Sequence, residues 1–207
     1  MLYSLPPAAF PRTPVKVALL TGLSDPSSCA LSESQTALLT SLKLAEDWVV
    51  GRNFPWVAGS PGVSRVPLWR ASLSNARQFY RSRGRTYQET ALPHLTNLVD
   101  SCERGLILIT GSCGAEILNR LFRPCLAGKL LHVIACGPVM SGPPQFPCTS
   151  IQGSADWISR AFVRRADVII PGAGHMDYWN HPCVLASIGR RLETLVPAQK
   201  GMPPPAP

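Results

Sequence analysis

The feature that most constrains this chain is a repeated alternation. Short, nearly continuous apolar runs are separated by segments with helical spacing of apolar residues. The clearest run is Leu106-Ile107-Leu108-Ile109, and others lie at 15–20, 48–50, 131–135, 149–152 and 167–170. Between them, Ala37, Leu38, Leu39 and Leu42 share one helical face. So do Ala91, Leu92, Leu95, Leu98, Val99 and Cys102, and at the end Val184, Leu185, Ile188, Leu192 and Leu195. Strands that lack polar alternation are covered on both faces, which is the habit of parallel sheets flanked by helices. The pattern predicts a three-layer α/β domain with a mostly parallel sheet of about six strands. Ser32 with Gln35, and Thr86 with Glu89, are placed as capping boxes. A short polar-aromatic helix is expected around 72–82 and another helix over 113–123. Pro93 is expected to kink its helix or to mark its first turn.

Composition bounds the reading. The 207 residues suit one domain, and 45% hydrophobic against 15% charged residues supplies a core and excludes disorder of the whole chain. Residues 15–196 form the expected folded unit, after an extended segment 1–14 and before a Pro-rich tail 197–207 expected to be disordered. No run approaches the ~18 apolar residues of a membrane span, so no membrane partner is expected, and 1–14 does not read as a secretory leader. The seven cysteines are odd in number, irregularly spaced and without a CxxC pair. They indicate neither a disulfide framework nor a zinc site, and a reducing, cytoplasmic setting fits best. No metal or other cofactor is expected. The net charge is +8, but the basic residues are scattered apart from Arg77, Arg81, Arg83, Arg85 and the pair Arg164-Arg165. No nucleic-acid motif accompanies them, so they read as a solvated basic surface.

In parallel sheets, chemistry gathers at the carboxyl ends of the strands. The run 106–109 is followed by Thr110-Gly111-Ser112-Cys113-Gly114-Ala115 and then at once by a helix. Small residues suit a sharp strand-to-helix turn that exposes a nucleophile, and the helix N-terminus favours a developing anion. The run 149–152 is followed by Gly153-Ser154-Ala155-Asp156, and 167–170 by Pro171-Gly172-Ala173-Gly174-His175. The chain order is nucleophile, acid, histidine.

With these motifs, residues 15–195 resemble the α/β-hydrolase superfamily. The resemblance implies an acyl-enzyme mechanism: a nucleophile at the turn, His175 as general base and Asp156 orienting it. It also implies an oxyanion hole built from the backbone N–H groups of Leu23 and of the residue after the nucleophile, Cys113 if Ser112 attacks. The family pattern is small-x-nucleophile-x-small. Ser112 gives Thr110 and Gly114 as flanks, with Ala115, Leu118 and Leu121 facing the sheet. Cys113 gives Gly111 and Ala115 as flanks, but would turn Glu116, Asn119 and Phe122 to the sheet, at a cost of several kcal/mol if the polar pair lacked partners. The pattern favours Ser112 and leaves Cys113 as the alternative nucleophile, which would suit acyl transfer or lactone hydrolysis. Relatives often carry a helical lid after the strand corresponding to 131–135; here only 137–147 is available. The excursion 53–85 is expected to wall the pocket. Trp56, Trp69, Met140, Trp157 and Met176 are candidate substrate contacts. The expected substrate is a small ester or thioester, with an Arg81-Arg83-Arg85 rim suggesting an anionic, carrier-protein- or CoA-linked acyl donor. A non-catalytic binding protein on the same fold is the remaining alternative.

Overall fold

The computed structural model describes residues 2–58 and 66–196; residues 59–65 of the long excursion and the expected tail 197–207 lie outside the described residues. Strands β1 (Thr13–Thr21), β2 (Val49–Asn53), β3 (Cys102–Gly111), β4 (Leu130–Cys136), β5 (Cys148–Gly153) and β6 (Val168–Ile170) form one sheet in the order β2-β1-β3-β4-β5-β6. Every neighbouring pair is parallel. The helices are α1 (Glu33–Ser41), α2 (Leu68–Arg81), α3 (Arg85–Asp100), α4 (Gly114–Leu121), α5 (Trp157–Phe162) and α6 (Pro182–Leu195).

Both faces of the sheet are buried, which is why its strands carry apolar runs without polar alternation. Along β1, Val15, Val17 and Leu19 point into a core with Leu38 and Leu39 of α1 and Val184, Ile188 and Leu192 of α6. Ala18 and Leu20 point to the other side, where Phe79 of α2, Leu95 and Leu98 of α3 and Ile117, Leu118 and Leu121 of α4 pack. Each such side chain contributes about 1.5–3 kcal/mol by leaving water. Ser32 and Gln35 form the expected capping box of α1.

Three local expectations change. Helix α2 begins at Leu68, before the expected start near 72. Helix α3 is not capped by Thr86; it starts at Arg85 behind Gly84, Pro93 lies inside it, and Glu89 pairs instead with Arg85 at 2.7 Å. The N-terminal segment is tied to the domain: the Ala8 N–H donates to the Trp56 carbonyl, and Tyr3 packs against Phe54 and Tyr87.

The register brings the strand ends to one edge. Thr21 pairs with Gly111, Gly111 with Cys136, Cys136 with Ile151, and Gly153 with Ile170. Asn53 fixes the end of β1, with its Oδ1 accepting from the Thr21 N–H at 2.9 Å and its Nδ2 donating to Thr21 Oγ1 at 2.9 Å.

Helix α4 leaves β3 so sharply that its first residue touches β1. A Cβ on Gly114 would lie 2.0 Å from the Leu20 carbonyl oxygen, a backbone atom that cannot turn aside. Gly114→Ala should therefore destabilise the fold by about 2 kcal/mol or more, read as a lower denaturation midpoint. An unchanged midpoint would mean that α4 does not sit this close to the sheet.

Candidate active site

Between Gly111 and α4 stands Ser112, with φ of +51°. A non-glycine residue in this left-handed region is uncommon and persists where its surroundings hold it. Here the Ser112 N–H donates to the Cys136 carbonyl at 3.3 Å, and its carbonyl accepts from the Val139 N–H at 3.0 Å. Both bonds anchor the turn to the end of β4. The turn lifts the hydroxyl to the sheet edge, where Ser112 Oγ lies 3.1 Å from His175 Nε2.

His175 and Asp156 reach that point from two neighbouring loops that are bonded side by side. The Ala155 N–H donates to the Ala173 carbonyl, and the Gly172 N–H donates to Ser154 Oγ at 2.8 Å. Gly172 takes a φ of +74°, as the turn requires. Asp177, three residues past Gly174, accepts the Gly174 N–H at 2.7 Å and so closes the turn that presents His175.

Asp156 is completely buried, and His175 Nδ1 lies 2.9 Å from its Oδ2 and 3.0 Å from its Oδ1. The Tyr178 hydroxyl donates to Oδ2 at 2.6 Å, and the Ser159 N–H donates to Oδ1 at 2.9 Å, so Asp156 also caps α5. Burial alone would raise the acid's pKa. The bonds from His175, Tyr178 and Ser159 outweigh it and hold the carboxyl below its ordinary value. An ionised Asp156 fixes the proton on Nδ1 and leaves Nε2 to accept from Ser112. Tyr178 is a residue that pattern alone does not reveal. It follows His175 by three positions and is apolar in every respect but its hydroxyl, which also accepts from the Gly153 N–H at 2.8 Å. Gly137, with φ of +54°, leaves room for it; a Cβ there would meet the Tyr178 ring and Asp156 Oδ2.

Cys113 caps α4 in ordinary right-handed geometry, with its Sγ turned into the core. Burial pushes its thiol up to about 12. Its N–H stands at the N-terminus of α4, beside Ser112. The other expected oxyanion donor, the Leu23 N–H, donates to Gln78 Oε1 at 3.0 Å.

Glu116 and Asn119, which the Cys113 alternative would turn to the sheet, find partners elsewhere. Both are buried, but their side chains meet partners rather than the sheet. Glu116 accepts from the Ser141 N–H at 2.9 Å, from Arg120 Nε at 2.9 Å and from Arg83 Nε at 3.2 Å. Asn119 accepts from the Gln145 N–H at 3.0 Å and donates to the Pro143 carbonyl at 3.1 Å. Burial disfavours the Glu116 carboxylate, and the Ser141 and Arg120 bonds more than offset this, so its pKa is lowered. These two residues pin the helix-free loop 137–147 against α4.

A cavity of about 350 Å³ opens over Ser112 and His175. Its walls are largely apolar: Ala71 and Phe79 of α2, Val139 of the pinned loop, Ile158 and Phe162 of α5, and Met176. The expected wall from 53–85 is thus supplied by α2. Of the five candidate contacts, only Met176 lines this cavity. Trp56 is 1% exposed and lies in the core, its indole N–H donating to the Leu19 carbonyl at 3.1 Å. Met140 is a buried residue of the 137–147 loop, and Trp157 projects to solvent at the start of α5. Trp69 lies in a second groove on the far side of α2, with the Arg70 guanidinium over its ring. Of the expected arginine rim, Arg83 is bound to Glu116 and Arg85 to Glu89, and among the described residues Arg81 pairs with no carboxylate.

Two lowered carboxyl groups give acid sensitivity a sign. Protonation favours the unfolded chain, where Asp and Glu titrate near their ordinary values of about 4, so the stability these groups contribute is present above that range and is lost as pH falls through it. Glu116→Gln should flatten the fall of the denaturation midpoint between about pH 5 and pH 3. A slope equal to the wild type's would contradict the assignment.

The whole fold is similar to solved structures. Esterase PE8 matches at 18% identity with a TM-score of 0.56, over 93% of this chain and 97% of that one. A thermophilic esterase from Thermogutta terrifontis matches at 14% and 0.52, over 89% and 92% of the two chains. A monoacylglycerol lipase from Paleococcus ferrophilus matches at 16% and 0.52, over 89% and 95%. No protein-family model matches the sequence, and no curated protein matches it significantly. At these identities the likeness concerns architecture. Together with the parallel β2-β1-β3-β4-β5-β6 sheet and helices on both faces, it gives the chain the α/β-hydrolase fold.

Proposed function

We propose that this chain is a hydrolase that cleaves esters, thioesters included, of carboxylic acids with a small apolar acyl group. The observation that carries the reading is the series Ser112 Oγ, His175 Nε2, His175 Nδ1 and Asp156, each within hydrogen-bond distance of the next, with Ser112 on the strained turn. The cavity above it offers an apolar acyl site of a size that suits a small ligand.

In this mechanism Ser112 Oγ attacks the substrate carbonyl carbon while His175 Nε2 takes its proton. Asp156 balances the imidazolium charge, and Tyr178 and the Ser159 N–H keep the carboxylate aligned. The tetrahedral oxyanion accepts a hydrogen bond from the Cys113 N–H and lies at the positive end of α4. Collapse breaks the bond to the leaving oxygen or sulfur, which receives the proton from His175. Water then attacks the acyl-serine as His175 accepts its proton; the acyl–Oγ bond breaks, His175 returns the proton to Ser112 Oγ, and the free acid leaves.

Stopped-flow hydrolysis of p-nitrophenyl butyrate tests this. The wild type should release p-nitrophenol with an initial burst stoichiometric with enzyme whenever deacylation is the slower step, and it should turn over in any case. Ser112→Ala should lose about 10⁴-fold or more in kcat, and His175→Ala a comparable amount. Cys113→Ala should keep turnover. Wild-type rates in Ser112→Ala would sink the proposal.

A further inference from the structure

An oxyanion hole works through donors fixed about 2.7–3.1 Å from where the charge develops, and it commonly holds two. Cys113 supplies one. Leu23 is poorly suited to supply the other, because α2 holds its backbone at both ends. Its N–H donates to Gln78 Oε1 at 3.0 Å, and its carbonyl accepts from Gln78 Nε2 at 2.8 Å and from Ser74 Oγ at 2.7 Å. Using the Leu23 N–H would mean breaking a buried bond at the moment of reaction and leaving the Gln78 oxygen without its donor, a cost of about 1–3 kcal/mol.

The same helix brings a carboxamide to the cleft one turn earlier. Asn75 lines the cavity with Ser112 and Cys113. Its Oδ1 is buried and has no hydrogen-bond partner among the described residues. That oxygen rests on Gly22, at 2.5 Å from where a Cβ would stand, and Cys113 Sγ crowds the same point at 2.7 Å. Only a glycine at 22 leaves space for this arrangement. The amide nitrogen, by contrast, is not among the buried atoms left without a partner. A carboxamide that leaves its buried oxygen without a hydrogen bond, in a cleft it shares with a nucleophile, calls for an explanation.

On the reading of Ser112 as nucleophile, we propose that Asn75 is a catalytic residue whose Nδ2 donates the second hydrogen bond to the oxyanion. Ser74 and Gln78, on either side of it, act as positioning residues: by fastening α2 to Leu23, they set the depth at which Asn75 enters the cleft.

The test compares Asn75→Ala and Asn75→Asp with the wild type on p-nitrophenyl butyrate, with Ser112→Ala as control. Asn75→Asp keeps the shape and replaces the donor by an acceptor. Both variants should lose about 100-fold or more in kcat. KM should stay within about threefold, since the contact forms in the transition state. Melting temperatures should stay near the wild type's, and a fluorophosphonate should still label Ser112, though more slowly. A role in packing alone would lower the melting temperature and leave the kcat of the folded fraction intact, and that result overturns the proposal. So does an Asn75→Asp enzyme with wild-type kcat while Ser112→Ala is inactive. Full activity in Ser112→Ala would overturn both this inference and the function it rests on.

Discussion

The turn from β3 into α4 has to satisfy two demands at once. The sheet requires β3 to run level with β1 and β4 to its last residue, so that Gly111 pairs with both Thr21 and Cys136. Helix α4 must then pack on the sheet immediately, close enough for Gly114 to touch the Leu20 carbonyl. One residue is left to reverse the chain, and Ser112 does so with a left-handed backbone. The strain is sustained by two backbone bonds to the β4 end and by the burial of α4's apolar face. The turn then decides the chemistry. It raises Ser112 towards His175 and turns the next side chain, Cys113, into the core, where its thiol is held protonated.

Polar groups buried around this turn are mostly matched, and the matches link elements that sequence separates widely. Asn53 holds the end of β1, Gln78 holds Leu23, and Glu116 gathers the 137–147 loop with Arg83 and Arg120. Removing one member of such a network leaves a charge or donor stranded, which costs more than the bond contributes on balance. Against this background the orphaned Oδ1 of Asn75 stands out. Among the described residues, Thr110 Oγ1 is also buried without a partner.

The sheet and its covering helices were legible because burial on both faces leaves its mark in sequence as runs such as 106–109. The chain order of Ser112, Asp156 and His175 was legible because each follows a strand end, and parallel strands share one edge. The cleft was less so. Trp56 and Met140 are apolar and lie near strand ends, but nothing local distinguishes a core aromatic from a pocket aromatic, and the Trp56 indole N–H donates to the Leu19 carbonyl. Glu116 was costly to bury only if it lacked partners, and two of the three it finds, Arg83 and Ser141, lie 33 residues before it and 25 after it. Tyr178 and Asn75 acquire meaning only through contacts made by folding. The Leu23 N–H lost its expected freedom to Gln78, 55 residues away.

The account rests on Ser112, rather than its neighbour, carrying the reactive group. The direct measurement is peptide mapping of the protein after reaction with a fluorophosphonate. The geometry predicts a single phosphonyl adduct on Ser112 and none on Cys113, whose thiol is buried and protonated. An adduct on Cys113, or an unmodified Ser112 in correctly folded protein, would contradict it.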